Sequence, residues 1–215
     1  MGKIVIDKIL NGRLLEFCYF VHDEDSKKCI CIDPGYDVDR IMKFIDTNSL
    51  IIDTILLTHG HFDHILACKK LQDRFNSKIY VSKIDESILY EATHNYAILI
   101  NKTTFDTFNI TRLLDDGDVI DSLSYTIKCI STPGHTKGSL CYYFEKEKIL
   151  FSGDTLFKDT YGRVDLYSGS FDDMKNSLLN KLFKLPDDTI VYPGHGHDTT
   201  IEYEKNNNEI YRGAV

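Results

Sequence analysis

Thr58-His59-Gly60-His61-Phe62-Asp63-His64 is the stretch from which the rest of the chain can be read. It follows Ile51-Ile52-Asp53-Thr54-Ile55-Leu56-Leu57, an apolar and β-branched run of strand length. The pattern His-x-His-x-Asp-His therefore sits where a strand gives way to a loop, and then to a helix expected over Asp63 to Phe75. Imidazole nitrogens beside a carboxylate suit a borderline divalent cation such as zinc. His59 and His61 are two residues apart and leave extended backbone on one face. Asp63 and His64 are adjacent at a helix start and are expected to diverge. Four ligand-type side chains with two directions of approach suggest two metals sharing one pocket. Shuffling this composition gives the pattern in roughly one chain per thousand, so a merely polar loop is the weaker reading.

Working outward, Leu14 to Val21 and Lys28 to Ile32 read as paired strands around the charged turn His22 to Ser26. Asp33-Pro34-Gly35 ends the second strand, and Asp37 or Asp39 can open a helix running to about Thr47. Beyond the central motif come a short strand at Lys78 to Val81 and a helix at Ile84 to Glu91. Residues 92–111, rich in Asn and Thr, read as loop. Tyr125 to Ile130 reads as a strand, and Leu140 to Phe144 with Lys148 to Phe151 as a hairpin. Ser170 begins a helix through Phe183, with its hydroxyl placed to accept from the Asp173 amide. Thr189 to Tyr192 is a last strand, and Thr199 or Thr200 caps a terminal helix. Strands and helices mix along the chain without repeat or linker, which predicts one α+β domain with sheets covered by helices.

Three further stretches run from a strand into a polar tip: Ser131-Thr132-Pro133-Gly134-His135-Thr136, Phe151-Ser152-Gly153-Asp154-Thr155 and Tyr192-Pro193-Gly194-His195-Gly196-His197. A lone His or Asp at a strand end is more often a turn residue. Together with the first motif, however, they add three metal-type side chains on loops at strand ends, where a rigid sheet positions functional groups. His22 and His94 lie in polar surroundings and are expected at the surface. His197 is open to two readings, a pocket residue or a plain loop residue.

With these motifs in order, the chain resembles the metallo-β-lactamase superfamily, and within it the short glyoxalase II-like hydrolases. The resemblance runs from Ile32-Asp33-Pro34-Gly35 through Thr58–His64, Pro133–Thr136 and Phe151–Ser170 to Pro193–Gly196. It implies a four-layer αββα sandwich with metals at one edge. By position, His59, His61 and His135 would hold one metal, and Asp63, His64 and His195 the other. Asp154 would bridge them, with Asp63 and Asp154 in the catalytic roles. Thr58 and Asp33 would orient the ligand imidazoles. Two such cations can share a water and lower its pKa toward ~7, giving a nucleophile for a carbonyl at neutral pH. The expected cofactors are two divalent ions, zinc first, with iron or manganese as alternatives.

The resemblance also bears on substrate. Arg163 stands where the glyoxalase II-like group carries a basic residue that contacts glutathione; its bland reading is an ion pair with Asp165 or Asp159. The chain ends about twenty residues after His195, so the helical C-terminal domain of the larger enzymes is expected to be absent. The function implied is cleavage of a small-molecule thioester, S-D-lactoylglutathione or a related acyl thioester. The alternative is a persulfide dioxygenase, which uses one iron bound by two His and an Asp. An inactive metal-binding protein is a weaker rival, because the ligand set is complete.

Composition bounds the rest. The 215 residues carry a formal net charge of −8, which argues against a broad nucleic-acid or anionic-membrane footprint. No apolar stretch approaches the ~20 residues needed to span a bilayer. The N-terminus has no secretory apolar region. None of the six cysteines forms a Cys-x-x-Cys pair, and the expectation is a reduced, cytoplasmic protein.

Overall fold

Hydrogen bonding sorts the strands of the computed structural model, which describes residues 2–212, into two six-stranded sheets. The chain groups into two compact units, residues up to Leu114 with Asp121–Tyr125, and Asp115–Ile120 with everything from Thr126 onward.

In the first unit the sheet order is β1 (Ile4–Asn11), β2 (Glu16–Asp23), β3 (Lys28–Ile32), β4 (Ile51–Leu56), β5 (Lys78–Ser82) and β6 (Arg112–Leu114). The first three strands pair antiparallel, and β3 to β6 run parallel. Helix α1 (Val38–Asn48) starts at Asp37, whose carboxylate accepts from the Arg40 amide at 3.1 Å. It buries Ile41 and Ile45 against a core that includes Ile52, Ile55, Ile79 and Val81. The buried C-terminal end of β4 delivers the central motif.

Four expectations change here. A strand at Ile4–Asn11 pairs with β2 along its whole length, shifting β2 to Glu16–Asp23. His22 is consequently 8% exposed rather than at the surface, with Nε2 3.1 Å from Asp7 Oδ2 on β1. The helix expected over Asp63 to Phe75 is two, α2 (Phe62–Ile65) and α3 (Cys68–Phe75). The break has a local cause: the Ala67 amide donates to the Pro34 carbonyl at 2.9 Å, outside its own helix. Gly35 lies so close that a Cβ there would be 1.7 Å from the Asp63 carbonyl oxygen. The stretch expected as a helix at Ile84 to Glu91 narrows to a 3-10 turn at Asp85–Ile88. Residues 92–111 are irregular apart from a 3-10 turn at Ala97–Ile100.

In the second sheet the order is β12 (Thr199–Thr200), β11 (Ile190–Pro193), β10 (Ile149–Gly153), β9 (Leu140–Phe144), β8 (Tyr125–Ser131) and β7 (Val119–Ser122). Strands β8 to β10 pair antiparallel, and β10 runs parallel to β11. Helix α4 (Phe171–Asn176) begins at Ser170, whose hydroxyl accepts from the Asp173 amide as expected, and the run continues as a π turn and a 3-10 turn to Lys184. Thr200 caps α5 (Ile201–Asn207) by accepting from Tyr203. Leu150, Met174, Leu178, Leu182 and Val191 form the core of this unit. All six cysteines are buried, and burial pushes the thiols of Cys18, Cys29 and Cys68 well up, which makes them poor nucleophiles. No helix among the described residues is long and apolar enough to cross a membrane.

Strand β2 opens on Glu16, which is 1% exposed. Burial above all pushes its carboxyl well above the usual range; His64 pulls it down, and Asp33 and Asp63 push it up again. A folded-state pKa above the unfolded one gives stability that is complete below the ordinary carboxylate range and is lost as pH rises toward the raised value. Glu16→Gln removes that titration. Urea unfolding in the presence of a chelator should therefore show the variant gaining on the parent protein between pH 5 and pH 8. Parallel stability curves across that range would mean that Glu16 is ionised in the fold.

Candidate metal centre

Asp33, at the end of β3, sets the first group of donors. Strands β3 and β4 are parallel neighbours, so the residues just past their ends meet. Asp33 Oδ1 accepts from the Thr58 amide at 2.8 Å and Oδ2 from the Thr58 hydroxyl at 2.6 Å. Asp33 Oδ2 also lies 3.0 Å from His64 Nδ1. Because the Thr58 hydroxyl donates its proton to Asp33, its oxygen accepts from His59 Nδ1, 3.1 Å away. Both imidazoles thus carry hydrogen on Nδ1 and the lone pair on Nε2.

The rings of His59 and His61 stand edge to face with centroids 4.7 Å apart, and those of His59 and His64 are 4.1 Å apart. His59, His61, Asp63 and His64 are all buried. Asp63 and His64 do not diverge as expected: Asp63 Oδ2 comes to 3.7 Å from His64 Nε2. Gly60 packs tightly between the first two histidines: a Cβ there would be 2.6 Å from Ile88 Cγ1 and would have to displace that side chain. Its amide donates to buried Asp85 at 3.0 Å.

The second unit carries the other donors. Gly134 has φ +153°, and a Cβ on it would be 2.6 Å from the Met174 Cα; that close approach sets the turn presenting His135. His135 Nδ1 lies 2.7 Å from the Arg163 carbonyl oxygen, to which it donates. Asp154 follows β10, where the register with β11 shifts between Phe151 and Gly153. A Cβ on Gly162 would be 1.9 Å from the Asp154 carbonyl oxygen, so this backbone approach also admits only glycine. Asp154 Oδ2 lies 3.5 Å from His135 Nε2 and 3.5 Å from His195 Nε2. Its side chain is 10% exposed, which places it deeper than a plain strand-end carboxylate.

These spacings fit metal ligands. At 3.5 Å an imidazole nitrogen and a carboxylate oxygen are too far apart for a strong hydrogen bond. Two ligands of one tetrahedral cation with bonds of ~2.0–2.1 Å sit about 3.4 Å apart. Ligand histidines characteristically donate their other ring N–H to a carboxylate or a carbonyl. His64 does so to Asp33 and His135 to Arg163. Burying carboxylates and imidazoles in such density costs desolvation that a divalent cation offsets.

The remaining sequence candidates fall as follows. The Arg163 guanidinium forks onto Asp165, with Nε to Oδ1 at 2.9 Å and Nη2 to Oδ2 at 2.8 Å. Both side chains are about two-thirds exposed, so the pair is of the weak surface kind. His197 is exposed and His94 half-buried. The Arg163 carbonyl and Asp85 are contributors that side-chain motifs did not single out. Gly162 within Gly162-Arg163-Val164 was the one available signal for the first.

Residues 11–195 match the model of the Metallo-beta-lactamase superfamily. The chain is 32% identical over 192 residues to hydroxyacylglutathione hydrolase GloC of Haemophilus influenzae, covering 89% of this chain and 90% of that protein. Among solved structures, the BLEG-1 B3 metallo-beta-lactamase aligns with a TM-score of 0.90 at 33% identity, over 96% of this chain and 99% of that one. TTHA1623 in a di-iron-bound form aligns with a TM-score of 0.82 at 31% identity, over 94% and 98%. The α+β class expected from sequence, with two mixed sheets and helices, is the metallo-β-lactamase fold. By family model, relatives and fold alike, the chain belongs to the metallo-β-lactamase superfamily.

Proposed function

We propose that the protein is a dinuclear metal-dependent hydrolase of thioesters, with S-D-lactoylglutathione or a related acyl thioester as substrate. The observation that carries the reading is the placement of Asp154, one carboxylate oxygen equally distant from two imidazoles, beside a full set of buried His and Asp donors. Similarity to a hydroxyacylglutathione hydrolase supports the thioester and the glutathione link. In this reading His59, His61 and His135 hold one cation, Asp63, His64 and His195 the other, and Asp154 serves both. Zinc suits the ligands, and the di-iron form of a structural neighbour keeps iron in consideration with manganese.

When bound, such ions supply Lewis acidity, activating water and polarising a carbonyl oxygen. The chain's own residues provide the rest. Asp33 and the Arg163 carbonyl hold His64 and His135 in one tautomer and one orientation. Thr58 does the same for His59. A thiolate is a stable leaving anion and requires no proton from a protein acid. The Arg163 guanidinium, held at the surface by a weak pair with Asp165, can exchange that partner for a substrate carboxylate.

Purified protein given S-D-lactoylglutathione should release thiol, and given glutathione persulfide should consume negligible oxygen. In the same assay Arg163→Ala should raise KM for the glutathione thioester with kcat much less affected. Oxygen uptake without thiol release would overturn the hydrolase reading in favour of a one-iron dioxygenase.

Asp154→Ala tests the shared ligand. Two cations ~3.5–4 Å apart repel strongly at low effective dielectric, and a carboxylate between them offsets that repulsion. The variant should keep its circular dichroism spectrum, bind at most one metal per chain, and lose at least about 10³-fold in kcat. Two metals per chain in an active Asp154→Ala protein would contradict the assignment.

A further inference from the structure

A pocket of about 190 Å³ lies wholly within the first unit and takes the Asp63 side chain as part of its wall. Its other walls are Asn11 at the end of β1, Leu14 on the β1–β2 hairpin tip, Tyr36, Phe62, and Leu99 and Ile100 of the 3-10 turn at Ala97–Ile100. Arg13, exposed on the same tip, is the cation of the lining.

The pocket is shaped by contacts that hold its floor. Gly12 has φ +63°, and a Cβ on it would be 2.7 Å from Tyr36 Cβ, so the hairpin tip is pressed onto the tyrosine. Tyr36 meets Phe62 edge to face with centroids 6.2 Å apart. Phe62 is 4% exposed and belongs to a small cluster with Ala92 and Ala97, against which Tyr36 and Ile100 pack. The rim is different: Leu14 is 54% and Leu99 73% exposed. Large apolar side chains left in water around a formed apolar floor are the composition of a ligand pocket.

From this geometry we infer that the pocket is an acyl site, taking an unbranched apolar acyl chain of about six carbons on the thioester whose carbonyl reacts beside Asp63. The inference rests on the hydrolase reading above and sharpens it from thioesters in general to those of apolar acids. A substrate that reaches the donors at Asp63 has this cavity at its side, and a hydrocarbon suits a wall made mostly of apolar side chains. At ~30 Å³ for each water-sized group the volume holds about six such groups, the length of a hexanoyl chain.

The test is a series of S-acylglutathiones, from acetyl through butyryl and hexanoyl to decanoyl, with kcat/KM measured for each. The pocket predicts a rise of about fourfold per methylene up to about six carbons and no further rise beyond. Leu14→Asp and Leu99→Asp, both at exposed positions that leave the core intact, should each lower the hexanoyl-to-acetyl ratio at least tenfold. Binding supplies a readout independent of turnover: by calorimetry, S-hexylglutathione should bind more tightly than S-methylglutathione in the parent protein, and this advantage should shrink in both variants.

Cleavage of all thioesters with no gain from chain length would overturn the acyl site and leave the hydrolase reading standing. Tighter binding of the hexyl ligand without cleavage of any thioester would support the pocket and overturn the hydrolase reading. Self-association abolished by Leu99→Asp, with the chain-length ratio unchanged, would assign the rim to a second copy of the chain and overturn the inference.

Discussion

Two imidazoles of the first donor group, those of His59 and His64, depend on one buried carboxylate. Asp33 is 2% exposed, holds φ +51°, and is bound by the Thr58 amide, the Thr58 hydroxyl and His64 Nδ1. A left-handed backbone at a non-glycine residue persists where surrounding contacts over-determine it, and Asp33 has three. Two parallel strand ends and one imidazole are locked by the same side chain, and through Thr58 a second imidazole is locked as well. The next two residues continue the work: the Pro34 carbonyl takes the Ala67 amide and ends α2, and Gly35 lets the chain pass against the Asp63 carbonyl. The Asp33-Pro34-Gly35 turn therefore sets both the direction of His64 and the length of the short helix that carries it.

In the second unit the equivalent constraint is backbone proximity. Gly134 against Met174 and Gly162 against Asp154 are approaches that no side chain would fit. They bring the Arg163 carbonyl to His135 and fix the backbone at Asp154. Carboxylate contacts in one unit and glycine contacts in the other do the same job, holding imidazoles by Nδ1 so that Nε2 is the nitrogen that could ligate a cation. Ligands positioned this way need little reorganisation when a cation arrives, which favours metal affinity and catalysis alike.

The cluster of donor-type side chains was legible because side-chain identity is what a metal reads, and the motif at Thr58–His64 is dense in it. The caps at Asp37, Ser170 and Thr200 were legible for a similar reason, each being a side-chain oxygen placed before a helix. Strand β1 was not, because five of its first positions are only partly buried or exposed and its pattern lacks a clean apolar alternation. Missing β1 also hid the burial of His22, whose partner Asp7 stands on that strand. The break between α2 and α3 comes from a carbonyl distant in sequence, and the carbonyl that holds His135 could belong to any residue type. Neither leaves a signature in the one-dimensional pattern. Glu16 carries no mark in the sequence, yet its carboxyl is buried, and only the three-dimensional neighbours give it meaning.

The dinuclear centre proposed above for the buried His and Asp side chains is open to direct measurement. X-ray absorption fine structure on the zinc-loaded protein measures this without reference to turnover or substrate. The account predicts two zinc ions per chain, first-shell scattering dominated by imidazole nitrogen and carboxylate oxygen, and a zinc–zinc distance of about 3.5–4 Å. Two ions with no metal–metal scattering, or a single ion saturating the chain, would contradict it.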